Sequence, residues 1–193
     1  NRFTSIVNQE PFMLDLGHDA DPDVYGHLGK TLTVRELAYW MITKSSNLAT
    51  NLLVDVVGIP VIQQALDELE IDGIKVLRGV EDQAAFNAGL NNEVTANGLL
   101  KLLRLIADGK AYSQPACDEM LKIMLDQQYR GGIPAGLPKA ARVAHKTGNI
   151  STVHHDAGIV YLEGRKPYVL VILTQFGVDT GRGLAVADVS RDI

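Results

Sequence analysis

A chain of 193 residues with 46% hydrophobic content is long enough to bury the core of one domain, or of two small subdomains that share one. Its 18 basic and 23 acidic residues leave a formal charge of -5, and without a Lys/Arg cluster or interleaved aromatics that balance argues against nucleic acid as a partner. The longest apolar runs, such as YVLVILTQF at 168–176, are too short to cross a bilayer, and the single cysteine, Cys117, excludes an internal disulfide and reads as a small buried residue.

In chain order, the first clear signal is TLTVRELAYWMITKSSNLATNLLVDVVG. Thr33 followed by Glu36 is a capping box, and Val34, Leu37, Ala38, Met41 and Ile42 recur at helical spacing, so a helix begins at Thr33. Leu48, Leu52, Leu53 and Val56 resume the rhythm after the polar interruption KSSN, until Gly58 and Pro60 end it. Pro60 suits the first turn of a further helix carrying Val61, Ile62, Ala65, Leu66 and Leu69, stopped by Asp72 and Gly73. LRGVEDQAAFNAGLNNEV has poor periodicity and reads as a structured loop. Thr95 caps a helix through Leu99, Leu102, Leu103 and Ile106 with Gly109 beyond it, and Ser113 caps another through Met120, Leu121, Met124 and Leu125.

After GGIPAGLP the pattern turns to strands. ARVAHKTG alternates, DAGIVYL and PYVLVILTQF are β-rich runs joined by a hairpin at EGRK, and LAVADVSRDI returns as a helix. Helices first and antiparallel strands later predict an α+β arrangement. The chain starts at Asn1 without an initiating Met or a signal peptide and stops without a helix-ending signal, so the expectation is a piece of a longer protein.

Two polar elements interrupt these apolar patterns: Ser45, Ser46 and Asn47 between two helices, and Lys146, Thr147 and Gly148 on a strand. With KSSN and HKTG in this order, the first serine and the lysine 101 positions apart (146 minus 45), the sequence resembles the penicillin-recognising serine hydrolases, especially class A β-lactamases. Their motifs are S-x-x-K, S-D-N and K-T-G or K-S-G. The resemblance covers nearly the whole chain, from TVREL through the hairpin and the returning helix.

The chemistry of these residues fits that resemblance. A serine hydroxyl facing a lysine ammonium can relay a proton during acyl transfer, the roles of Ser45 and Lys146. The Asn47 amide both donates and accepts, which suits orientation of a substrate amide. Lys146 and Thr147 offer an ammonium and a hydroxyl to a substrate carboxylate, and Gly148 lets a ligand backbone approach the strand edge. The resemblance implies an oxyanion-hole N–H at Asn149. It also implies a deacylating glutamate on the loop after the second motif's helix, where Glu81 stands, although the family's R-W-E-P-E-L-N wording is absent.

Two departures matter. No serine is followed three residues later by lysine, so the acylating nucleophile is expected in a preceding part of the parent protein. Ser46 stands where the family usually has aspartate, which removes a charge that supports the loop. His145, His154 and His155 have no metal-ligand spacing and read as strand or loop histidines.

The resulting expectation is one β-lactamase-like domain over 1–193, mainly helical over 1–140 with sheet strands and the start of the last helix over 141–193. It implies a serine acyl hydrolase acting on β-lactam amide bonds, with no metal and no organic cofactor, exported, and monomeric. The alternatives are a penicillin-binding D-alanyl peptidase or esterase, and a non-catalytic ligand-binding or sensor domain of the same fold.

Overall fold

The computed structural model describes residues 2–20, 22–150, 152–176 and 185–193. These form two compact units, Asn1–Thr95 and Ala96–Ile193. The division falls at the start of a helix, well before the change from helices to strands near residue 141.

The first unit opens with an antiparallel hairpin that the sequence patterns do not announce, β1 (Arg2–Thr4) with β2 (Pro11–Met13), in which Phe3 lies opposite Phe12. The two rings meet at 5.9 Å and join Leu14, Val24 and Leu48 in an apolar core, with Trp40 and Leu52 packed against it. A 3-10 helix over Pro22–His27 follows. Helix α1 (Val34–Thr43) starts at the predicted capping box: the Thr33 hydroxyl accepts from the Glu36 N–H, and the Glu36 carboxylate accepts from the Thr33 N–H at 2.7 Å.

Helix α2 (Asn47–Val57) begins immediately after KSS, and Gly58, at φ 84, turns the axis by 80° into α3 (Ile59–Glu68), with Pro60 in its first turn. The segment read as a structured loop contains a short helix, α4 (Gln83–Asn87). It ends in β4 (Glu93–Val94), which pairs antiparallel with β3 (Ile74–Lys75). These elements are too short to impose a period on the sequence, which is why periodicity misses them.

The second unit sets α5 (Ala96–Ala107), α6 (Gln114–Leu125) and the four-residue α7 (Ile133–Gly136) with a three-stranded antiparallel sheet in the order β5-β6-β7. The strands are Arg142–Ile150, Val153–Tyr161 and Tyr168–Ile172, and α8 (Ala185–Asp192) closes the chain. Register pairs Val143 with Val160, His145 with Gly158 and Thr147 with Asp156, so these residues share one face. On that face Val143, Val160 and Ile172 pack against Ile133 of α7 and Val186 of α8. Close approach of the two helices is made possible by Gly136, where a Cβ would lie 2.0 Å from the Ala187 carbonyl oxygen. Cys117 is fully buried in α6. Among the described residues no single helix is long and apolar enough to cross a membrane.

Candidate active site

In the first unit the chemistry gathers at the start of α2. Ser45 occupies the turn between α1 and α2 at φ 57, a left-handed conformation that costs a non-glycine residue about 1–2 kcal/mol. Such strain persists only where surrounding contacts over-determine it, and it concentrates at functional positions. The next residue supplies those contacts: Ser46 is completely buried, its N–H donates to the Trp40 carbonyl at 3.3 Å, and its hydroxyl caps α2 by accepting from the Ala49 N–H at 3.2 Å.

The same hydroxyl donates to Asp19 Oδ2 at 3.2 Å, and the Leu48 N–H donates to that oxygen at 3.1 Å. The buried Asp19 carboxylate therefore answers the unpaired N–H groups and positive dipole end of α2. The charge that Ser46 lacks arrives from a residue 27 positions upstream. Sequence reading missed Asp19 because nothing local to it marks a partner so far along the chain.

Asn47, half-buried, points its amide nitrogen at Glu81 Oε1, 2.9 Å away, and at the His18 carbonyl, 3.2 Å away. Glu81 is thereby brought to the second motif, and its other oxygen accepts from the Asp15 N–H at 2.8 Å. Glu81 is itself left-handed, at φ 64, and is held from both sides. Before it, Asn51 clamps Val80, donating to its carbonyl at 2.8 Å and accepting from its N–H at 2.7 Å. After it, the buried Asp82 caps α4 through the Ala85 N–H at 3.0 Å and takes Ser5 Oγ at 2.8 Å. Asn47 and Asn51 are one helical turn apart, so one face of α2 fixes both Glu81 and the residue before it. That spacing is the signal from which Asn51 could have been found.

Asp15, Asp19 and Glu81 make this region anionic. Burial, and then the charges of Asp19, Glu81 and Asp15, push the Tyr25 hydroxyl up to about 12, so it stays a neutral phenol.

In the second unit Lys146, Thr147, Gly148 and Asn149 follow one another along β5, an edge strand. Lys146 is half-buried and its ammonium donates to the Thr147 carbonyl oxygen. Burial lowers its titration from 10.5 to about 8, opposed by the negative charge of Asp156. It is therefore still mostly an ammonium at neutral pH, yet one that gives up its proton more readily than an exposed lysine. Thr147 is 9% exposed and Asn149 lies in the open. At Gly148 a Cβ would make only ordinary contact with His155 Cβ at 3.6 Å, so nothing within the unit requires glycine there.

Behind the strand lies a pair that sequence reading set aside. His145 and Asp156 are both 0% exposed, and His145 Nδ1 lies 2.9 and 3.1 Å from the two carboxylate oxygens of Asp156. The Ile133 N–H donates to Asp156 Oδ2 at 2.8 Å. Among the described residues no group of three or more His, Cys, Asp or Glu side chains is placed to hold a metal ion.

Comparison with known proteins adds to this geometry. A family model described as the beta-lactamase enzyme family matches residues 20–193. A curated beta-lactamase of Bacteroides uniformis is 29% identical over 191 residues, covering 88% of this chain and 64% of that protein. Among solved structures, a variant of PBP-A described as its acyl-enzyme complex with penicillin G is 30% identical with a TM-score of 0.74, covering 83% of this chain and 60% of that one. A beta-lactamase from Chitinophaga pinensis is 26% identical with a TM-score of 0.81, covering 90% and 69%. The chain thus spans about two thirds or less of the length of the first two relatives.

Proposed function

From the membership of this chain in the beta-lactamase enzyme family, we propose that it carries the substrate-binding and proton-handling groups of a serine acyl hydrolase that acts on β-lactam amide bonds. The observation that carries this reading is the hydrogen bond of 2.9 Å between Asn47 and Glu81, which joins the second motif to a carboxylate 34 residues away. Asn47 orients the substrate amide. Ser45, preset in a strained turn, passes the proton toward the leaving nitrogen. Lys146 and Thr147 hold the substrate carboxylate, Gly148 leaves the strand edge open to the ligand backbone, and the Asn149 N–H stabilises the oxyanion. The acylating serine belongs to the parent polypeptide outside these residues, which contain no S-x-x-K. A location outside the cytoplasm rests on the family alone.

A second reading, a penicillin-binding peptidase, is favoured by one observation. Both Glu81 oxygens already accept hydrogen bonds, from Asn47 and from the Asp15 N–H, which limits their freedom to draw a proton from water. An acyl-enzyme would then persist, as in the PBP-A complex. Intact-mass spectrometry of the parent protein with benzylpenicillin tests both readings. Rapid turnover supports the lactamase and a lasting adduct the peptidase. Neither turnover nor adduct overturns the hydrolase and leaves a binding or sensor domain.

A further inference from the structure

We propose that the second unit carries a binding site for a small organic anion with an apolar body, a carboxylate or sulfonate, in the cleft between the end of α6 and the start of β5. The site is separate from Lys146 to Asn149 and does not rest on the hydrolase reading.

The cleft encloses about 350 Å³. That volume lies at the lower end of small-molecule sites, roughly 300–1,000 Å³. Its base is aliphatic, made by the half-buried Leu125 and the buried Ala141 and Val143. Its rim is charged and exposed, with Lys122, Arg130 and Arg142 facing the single carboxylate of Asp126. The three cations come from separate parts of the chain: the last turn of α6, the turn after it, and the first residue of β5.

This concentration of positive charge runs against an acidic chain of formal charge -5. Lys122 lies one helical turn before Asp126, a spacing at which ion pairs commonly form. Yet among the described residues none of Lys122, Asp126, Arg130 and Arg142 takes part in an ion pair. Arg142 is instead braced over the Tyr161 ring, 5.8 Å from its centroid, which holds the guanidinium at the cleft without neutralising it. Like charges converging on a cleft with apolar walls focus a positive field into it, and an anion seated among them relieves their repulsion. The aliphatic base selects further. Inorganic sulfate or phosphate gains nothing from covering it, whereas an aryl or alkyl body gains by removing it from water.

Isothermal titration of the full 193-residue chain at low ionic strength tests the site with three probes: 1-naphthalenesulfonate, its uncharged analogue 1-naphthalenemethanol, and inorganic sulfate. The expected result is one saturable site for the sulfonate, with the alcohol and sulfate each weaker by about tenfold or more. Arg130→Gln and Arg142→Gln each weaken the sulfonate by about tenfold. Asp126→Asn removes the one negative charge of the rim and tightens binding by about threefold, a gain that a misfolded variant would not give. Lys146→Met leaves the affinity within about twofold, since the site is not on the strand assigned to the substrate anion. The proposal is overturned by the lack of a saturable site, by equal affinity for the sulfonate and the alcohol, or by equal affinity for the sulfonate and sulfate. It is equally overturned if Asp126→Asn fails to tighten binding, if both arginine variants leave it unchanged, or if Lys146→Met abolishes it.

Discussion

Replacing Lys146 by methionine offers a quantitative check on the electrostatics of the proposed anion-holding strand. Lysine titrates near 10.5 in the unfolded chain and near 8 in the folded one, because burial penalises its charged form. Below pH 8 both states are protonated, and the folded state bears the full penalty. As the pH rises from 8 to 10.5 the folded state loses its proton while the unfolded state keeps it, so the penalty is relieved and stability rises. The difference between the two titrations corresponds to ~3 kcal/mol. Methionine, of similar length and without charge, has no such transition. Urea unfolding followed by far-ultraviolet circular dichroism, on both proteins between pH 7 and 10.5, isolates the contribution because all other titrations are shared. Lys146→Met should be the more stable relative to wild type at pH 7, and that advantage should shrink by ~3 kcal/mol by pH 10.5. A gap that stays constant across the range would refute the argument.

Three further perturbations address the first unit. Asn51→Ala removes both hydrogen bonds to Val80, leaves two half-buried backbone groups without their partner and should cost about 1–3 kcal/mol, with faster amide exchange at Val80 and Glu81 read by mass spectrometry. Ser46→Ala deletes the cap of α2 and the donor to buried Asp19. The expected loss is about 1–2 kcal/mol in chemical denaturation, whereas a neutral effect would remove Asp19 from the account. Glu81→Gln in the parent protein should leave the acylation rate by benzylpenicillin within a few-fold of wild type and, on the lactamase reading, lengthen the acyl-enzyme lifetime by about 10²-fold or more. An unchanged lifetime would assign deacylation elsewhere or support the peptidase reading.

Much of the fold is legible because long amphipathic helices announce themselves. Thr33 and Ser113 mark their helix starts by capping chemistry, and Gly58 and Pro60 mark the bend between α2 and α3, each visible within a few residues of sequence. The β5–β6–β7 sheet is equally plain from β-rich runs separated by turns. The hairpin β1–β2, the short α4 and α7, and the β3–β4 pair escape because elements of two to five residues carry no measurable period. The site shows the same contrast. Ser45, Asn47 and Lys146 stand out as polar breaks in apolar patterns, and the structure brings Asn47 to Glu81. Asp19, Asn51 and the His145–Asp156 pair act through contacts 11 to 29 residues apart, which no local pattern encodes.

The central claim, an acyl hydrolase whose strand at Lys146 and Thr147 holds a substrate anion, is tested most directly by the rate of covalent adduct formation on the parent protein. That rate is followed by intact mass with benzylpenicillin and, separately, with its uncharged methyl ester. The account predicts a saturable adduct or turnover with the acid, and a rate for the ester lower by about 10²-fold, the loss of one charge-assisted contact. No reaction with either compound, or equal rates with both, would contradict it.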